Sequence, residues 1–231
     1  MNKNEIFEIT DIFTTSEFQI IKSLIIEHVS SRLGFSVDLS TYHQQAAETD
    51  HLSMAPKAAR VLSPSDAQFI LALSGIKRLL DNHPGYQVSN VVYDSNTVED
   101  RPELYFRLVR PNQPGNIGSP HCDFWFDQAM GTNFGRGNTI KFWLPIVLDP
   151  GKNGLLFYPN APKGIPFIIQ TVNGFNRPCI DCEVSRLGDP VLPQPAYGQA
   201  IKFHDDIIHC GALNNGSKTR VGLEIALLKG K

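Results

Sequence analysis

From about Tyr86 onward the chain is a succession of short β-prone runs separated by glycine and proline, and no other feature restricts its fold so strongly. Val88, Val91 and Val92 open this region. Residues 104–109, 140–146, 154–158, 166–172, 200–203 and 221–228 each gather β-branched and aromatic residues over strand length. Many short strands with this punctuation predict a sandwich or barrel of the jelly-roll kind. The first ninety residues differ. Thr14 and Glu17 read as a capping box, Phe18, Ile21, Leu24 and Ile25 keep helical spacing with His28 on the same face, and Gly34 is a stop. A second helix is expected from Ser63 to about Asp81, ended by His83-Pro84-Gly85. Residues 40–54, with Tyr42, His43 and His51, read as a polar loop with solvated histidines. Residues 173–198, rich in proline and glycine, read as a long loop or lid. The expectation is a mainly β chain with an α-helical layer, an α+β protein. It is read as one domain over 1–231, with a helical support over 1–92 and a β core over 93–231.

Composition narrows the function. The 231 residues carry 21 Lys+Arg against 23 Asp+Glu, a formal charge of −2. A protein that binds nucleic acid by neutralising phosphates usually shows a basic excess, so that class is disfavoured, although a local basic pocket is not. Hydrophobic residues at 42% and charged residues at 19% describe a globular chain. No apolar run approaches the roughly 18 residues of a membrane span. Met1 to Phe7 show no secretory signal, so a cytoplasmic protein is expected, with Cys122, Cys179, Cys182 and Cys210 as free thiols.

The chemistry-bearing segment is Ser119-Pro-His-Cys-Asp-Phe-Trp125. On a strand, His121 and Asp123 share one face, because side chains alternate with period two. Seven histidines and 23 acids make about 0.7 such pairs expected by chance, so the pair alone decides nothing. A second pair, His204 and Asp206, also exists. A two-histidine, one-carboxylate metal site needs a further histidine from a distant strand and leaves three positions open. After His121 and Asp123, His209 can fill that role. After His204 the only remaining histidine is His209, five residues on and on the opposite face of a regular strand. His121, Asp123 and His209 are therefore the candidate metal ligands. Arg220, eleven residues after His209, opens the last strand. A buried arginine there suits bidentate pairing with a carboxylate, the alternative being an exposed arginine closing a turn.

With these residues in place the chain resembles the iron(II)- and 2-oxoglutarate-dependent dioxygenases, most of all their phytanoyl-CoA hydroxylase-like branch. The matching segments are His121-x-Asp123, Lys141-Phe-Trp-Leu-Pro145, Asn153-Gly-Leu-Leu-Phe-Tyr-Pro159, 198–209 and 214–224. The resemblance implies a double-stranded β-helix (a cupin-like jelly roll) with the N-terminal helices packed outside. It implies Fe(II) on His121, Asp123 and His209, with 2-oxoglutarate as cosubstrate and O2 as oxidant. The distal carboxylate of 2-oxoglutarate would pair with Arg220, and a substrate would be hydroxylated with release of succinate and CO2. Because Asp123 is present, hydroxylation is favoured over halogenation. Two positions depart from the family's habit: Pro159-Asn-Ala-Pro162 stands where Pro-Gly-Ser-His is common, and Gly222 stands where a serine is frequent.

Further assignments rest on parity and shared faces. Trp125 and Asp127 continue the parity of His121 and are candidate substrate contacts, core packing being the alternative for Trp125. Lys141 and Trp143 share a strand face, as do Tyr105 and Arg107; Lys141, Trp143 and Arg107 are candidate cosubstrate contacts beside Arg220. Cys122 and Cys210, each next to a candidate ligand, should point away from it. Cys179-x-x-Cys182 lacks the second pair of a zinc ribbon. The expected partner is a small to medium organic molecule, polar if the loops are a guide, with no nucleic acid and no membrane. The rival is a cupin-type metal protein, or a non-catalytic binding protein on the same barrel, that does not use 2-oxoglutarate.

Overall fold

A computed structural model describes residues 6–94, 97–130, 137–172 and 175–230. In chain order the elements are β1 (Phe7–Asp11), α1 (Thr15–Leu33), α2 (Tyr42–Gln45), α3 (Glu48–Ser53), α4 (Pro64–Leu71), α5 (Ser74–Asp81), β2 (Tyr86–Val88), β3 (Val91–Asp94), β4 (Thr97–Asp100), β5 (Leu104–Val109), α6 (Phe124–Met130), β6 (Thr139–Val147), β7 (Leu155–Phe157), β8 (Phe167–Val172), β9 (Phe175–Ile180), β10 (Gln199–His204), β11 (His209–Gly211) and β12 (Arg220–Lys229). The expected strands are present within a residue or two of their expected bounds, and the helices lie in the first ninety residues apart from α6.

The main sheet is antiparallel, in the order β1-β10-β6-β12-β2, with β5 on the same edge of β12 as β2. The period-two pattern of β12 sorts its two faces. Val221, Leu223, Ile225 and Leu227 join Phe106, Phe142 and Leu144 of the neighbouring strands in one core with Ile21, Ile25, Val29, Ile70 and Ile76 of the helices. Each such side chain contributes roughly 1.5–3 kcal/mol by leaving water. The other face carries Arg220, Gly222 and Glu224, with Arg107 opposite Gly222 on β5 and Trp143 opposite Glu224 on β6. That face looks away from the helices, into a cavity roofed by the short β7–β11 pair and the β8–β9 hairpin.

Sequence signals set the helix ends. Thr14 caps α1 in a capping box with Glu17, and Gly34 closes it in a left-handed conformation at φ 77°. The expected 63–81 helix is instead two, α4 and α5, broken at Ala72–Leu73. The break lets the start of α5 seat against the 12–13 segment, where a Cβ on Gly75 would stand 2.5 Å from the Ile12 carbonyl oxygen. Glu17 ties the start of α1 to the start of α5. It accepts from the Thr14 N–H at 2.9 Å, the Ser74 hydroxyl at 2.8 Å and the Gly75 N–H at 3.0 Å. Burial would raise its pKa, but these donors win and hold it down to about 2. A depressed folded-state pKa means that Glu17 adds stability above the ordinary carboxyl value of 4.5, and that this is lost as pH falls toward 2. Glu17→Ala should lower Tm at neutral pH by roughly 3–6 °C, the effect of losing about 1–2 kcal/mol of capping. A melt at pH 7 beside one near pH 2.5 checks this, since the gap between variant and parent should shrink in acid.

Two further expectations are corrected. Residues 40–54 are not a solvated loop but contain α2 and α3. Tyr42 is fully buried and its hydroxyl lies 3.3 Å from His51 Nδ1 inside the protein. His43 is tied to Thr219, its N–H donating to the hydroxyl at 3.1 Å, one residue before Arg220. Residues 173–198 are not one long loop either. β9 pairs with β8 in a hairpin whose register sets Val172 against Phe175. Among the described residues, no helix is long and apolar enough to cross a membrane.

Candidate metal centre

His121 and His209 meet across an isolated antiparallel bridge, with reciprocal backbone bonds of 3.0 and 2.8 Å. Their rings lie 4.8 Å apart, and Asp123 Oδ1 is 3.9 Å from His121 Nε2. One ligand atom from each of His121, Asp123 and His209 lies within 4.8 Å of the others, and no other such cluster occurs among the described residues. His204, the rejected candidate, ends β10 outside this cluster. The backbone fixes both rings. His121 Nδ1 sits 2.7 Å from the Ser119 carbonyl, and His209 Nδ1 sits 3.0 Å from the Ile207 carbonyl. A carbonyl only accepts, so each Nδ1 carries the proton and each Nε2 keeps its lone pair for the cluster.

Electrostatics favour a ligand-ready state. Burial, then the facing His209, push the His121 pKa down to about 4, so the ring is neutral at pH 7. Burial opposes ionisation of Asp123, but Lys141, with Nζ 3.8 Å from Oδ2, and the two imidazoles hold its carboxyl well below the ordinary range. Phe157 and Phe203 flank His209, and Phe126 meets His121 edge-on at 5.3 Å.

The cluster opens on a cavity of about 440 Å³, and Arg220 lines the same cavity. Its side chain is only 1% exposed. One guanidinium nitrogen donates to the Gly154 carbonyl, while Nε is buried with no hydrogen-bond partner among the described residues. No carboxylate among the described residues lies within ion-pair distance of it. Burial, then the charge of Arg107, push its pKa down to about 9, which still leaves it charged at pH 7. A buried amide pair aims it. Asn153 donates to Asn214 at 2.7 Å, Asn214 donates to the Val109 and Lys218 carbonyls, and Gly154 follows Asn153. Gly211 leaves room beside the guanidinium: a Cβ there would lie a tight 3.1 Å from Arg220 Nη2.

Lys141, Trp143 and Arg107 all line this cavity. Trp143 accounts for Gly222: a Cβ at that position would lie 2.3 Å from the indole Nε1, so the ring occupies the space a side chain would need. Gly222→Ala should therefore cost about 1–3 kcal/mol by overpacking, read as a lower denaturation midpoint, and should displace the indole from the cavity wall, read as a changed tryptophan emission.

Strand parity misplaces Trp125. The chain turns helical at Phe124, so alternation ends at Asp123. Trp125 stacks on Phe167 at 4.8 Å in a separate core with Cys122, Tyr158 and Cys210, away from the cavity. Phe126 takes the cavity position instead. Asp127 lies in the same helix, its side chain outside the described residues. The two cysteines flanking the histidines do point away, Cys210 Sγ lying 3.7 Å from the Tyr158 hydroxyl. Arg60 and Arg177, which also line the cavity, were not candidates in the sequence, one lying in a short 3-10 turn and the other in the unrecognised hairpin.

No protein-family model matches the chain, and no curated protein matches it by sequence. Solved structures do match. ThoJ in its apo form, described as a non-heme monooxygenase, aligns with 98% of this chain and 75% of its own at 12% identity, TM-score 0.55. EctD from S. alaskensis in its apo form aligns with 96% of this chain and 72% of its own at 14% identity, TM-score 0.55. AviO1 from Streptomyces viridochromogenes Tue57 aligns with 96% of this chain and 89% of its own at 11% identity, TM-score 0.54. The chain shares their fold. At these identities the likeness is one of architecture, and the chemistry is argued from the residues themselves.

Proposed function

We propose that this chain is an iron(II)- and 2-oxoglutarate-dependent oxygenase that hydroxylates a small organic substrate on a jelly-roll, double-stranded β-helix scaffold. One observation carries the reading: a two-histidine, one-carboxylate cluster and a buried arginine without a carboxylate partner among the described residues face the same cavity. The donor set fits iron(II). Two imidazole Nε2 atoms and one carboxylate converge on one point and leave further positions open. When bound, the metal lets O2 oxidise 2-oxoglutarate to succinate and CO2, one oxygen atom entering the succinate and the other a substrate C–H bond.

The chain's own residues do the rest. His121 and His209 are held as ligands by the Ser119 and Ile207 carbonyls. Asp123 supplies the carboxylate, and Lys141 keeps it ionised. Arg220 pairs with the distal carboxylate of 2-oxoglutarate, which satisfies a buried guanidinium that has no carboxylate within ion-pair distance among the described residues. Trp143 walls the cosubstrate's place, and Phe126, Phe157 and Phe203 keep water from the histidines. A cavity of about 440 Å³ suits a small substrate beside the cosubstrate, being toward the lower end of the roughly 300–1,000 Å³ of small-molecule sites. Asp123 would occupy the coordination position that a halide needs, which favours hydroxylation over halogenation. The test is O2 uptake with Fe(II): consumption that requires 2-oxoglutarate, yields succinate and disappears in His209→Ala is expected. Uptake indifferent to 2-oxoglutarate would move the chain to the metal-binding reading without this cosubstrate.

A further inference from the structure

The cavity's charge runs against that of the chain. The whole chain carries −2, yet six cationic side chains line the cavity against four carboxylates. Part of this is matched internally. Lys57 pairs with Glu103, Lys141 lies beside Asp123, and Arg220 is assigned above to 2-oxoglutarate. A divalent metal and a dianionic cosubstrate cancel each other, so they leave the cationic excess in place.

What remains gathers round Tyr105. The Arg60 guanidinium lies 5.0 Å from the ring centre, and its Nε and Nη2 donate to the Pro56 and Ala55 carbonyls. Arg107 stands on the same strand face as Tyr105, and its Nε is buried without a hydrogen-bond partner among the described residues. Arg177 comes from β9, on the hairpin side of the cavity, and the charges of the two arginines act on each other. Neither Arg107 nor Arg177 has a carboxylate within ion-pair distance among the described residues. Arg107 hydrogen-bonds Tyr105 and feels the charges of Glu224 and Asp123, neither of which reaches ion-pair distance. Two guanidinium groups in a shielded space repel unless an anion lies between them, and their planar forks match an oxyanion.

We propose that the substrate carries an anionic oxygen group, a carboxylate or another oxyanion, received by Arg107 and Arg177 beside Tyr105. The proposal rests on the oxygenase reading and assigns Arg107 to the substrate and Arg220 to the cosubstrate. Their guanidinium groups meet different neighbours. That of Arg220 packs on Gly154 and Gly211, whereas Arg107, diagonal to it across β5 and β12, has its Nη1 4.0 Å from where a Cβ on Gly118 would stand, beside His121. The two carboxylated molecules would then lie side by side at the metal cluster, each on its own arginine.

The experiment follows unfolding of the protein loaded with Mn(II) and 2-oxoglutarate, so that Arg220 is occupied, while acetate or its neutral counterpart acetamide is titrated in. Acetate should raise Tm saturably and acetamide should not. Arg107→Gln and Arg177→Gln should each weaken the acetate half-saturation at least about tenfold, and Arg177→Gln should keep the 2-oxoglutarate shift of the parent. No response to acetate, an equal response to acetamide, or an acetate response intact in both variants overturns the proposal. The 2-oxoglutarate shift in the same series separates the two ideas. If it is present and the acetate response absent, only the anionic-substrate assignment fails. If it is absent, the oxygenase reading fails and takes this assignment with it.

Discussion

Replacing Arg220 with alanine is expected to weaken 2-oxoglutarate binding at least about 30-fold while leaving metal binding unchanged. The magnitude follows from deleting one partner of a desolvated charge pair, which costs about 2–5 kcal/mol. The side chain is buried, its Nε has no partner among the described residues, and among them the Gly154 carbonyl is the acceptor its guanidinium meets. Lysine should not restore binding, because a single ammonium cannot reproduce the two-pronged contact. The measurement is the affinity for 2-oxoglutarate in Mn(II)-loaded parent, Arg220→Ala and Arg220→Lys. Equal affinities would mean that another cation, Arg107 or Lys141, holds the cosubstrate and that Arg220 serves only the Gly154 loop.

Asp123→Ala is the second large effect. It removes the only carboxylate of the cluster and leaves Lys141 beside two imidazoles. Metal affinity should fall by at least about 100-fold, more than the 10–100-fold typical of losing a mere supporting group, and turnover should vanish. The fold should survive, since Asp123 sits in a turn between the His121 bridge and α6 and not in a core strand. Calorimetric titration with Mn(II) beside a far-UV spectrum separates the two effects. A variant that kept full metal affinity would remove Asp123 from the ligand set.

Much of this was legible in the residues because their patterns were strict. On α1, Thr14, Glu17 and Gly34 mark both ends, and Phe18, Ile21 and Ile25 mark the buried stripe. On β12, Arg220, Gly222 and Glu224 alternate with Val221, Leu223 and Ile225 without exception, so cavity and core faces could be told apart. His209 could be preferred over His204 from spacing alone, and the structure brings it to His121.

The failures have physical causes. Trp125 was placed by extending a strand period past Asp123, where the backbone turns into α6 and the rule no longer applies. The β8–β9 hairpin carried a signal that polar composition masked: Asn173-Gly174 between Val172 and Phe175 is a two-residue hairpin sequence. Missing it hid Arg177 and with it half of the cationic lobe. His51 looks solvated because its neighbours are polar, and only tertiary packing shows that it lies buried against Tyr42. The tolerance of Gly222 for its position depends on the Trp143 ring, a contact between strands that no local pattern contains.

The most direct test of the account is whether 2-oxoglutarate binds only when the metal is present. Thermal unfolding should be followed with 2-oxoglutarate alone, Mn(II) alone and both together, in the parent and in Arg220→Ala. The account predicts a shift with Mn(II), a larger shift when 2-oxoglutarate is added to it, and loss of that increment alone in the variant. A Mn(II) shift that 2-oxoglutarate does not increase, or an increment that survives in Arg220→Ala, would contradict it.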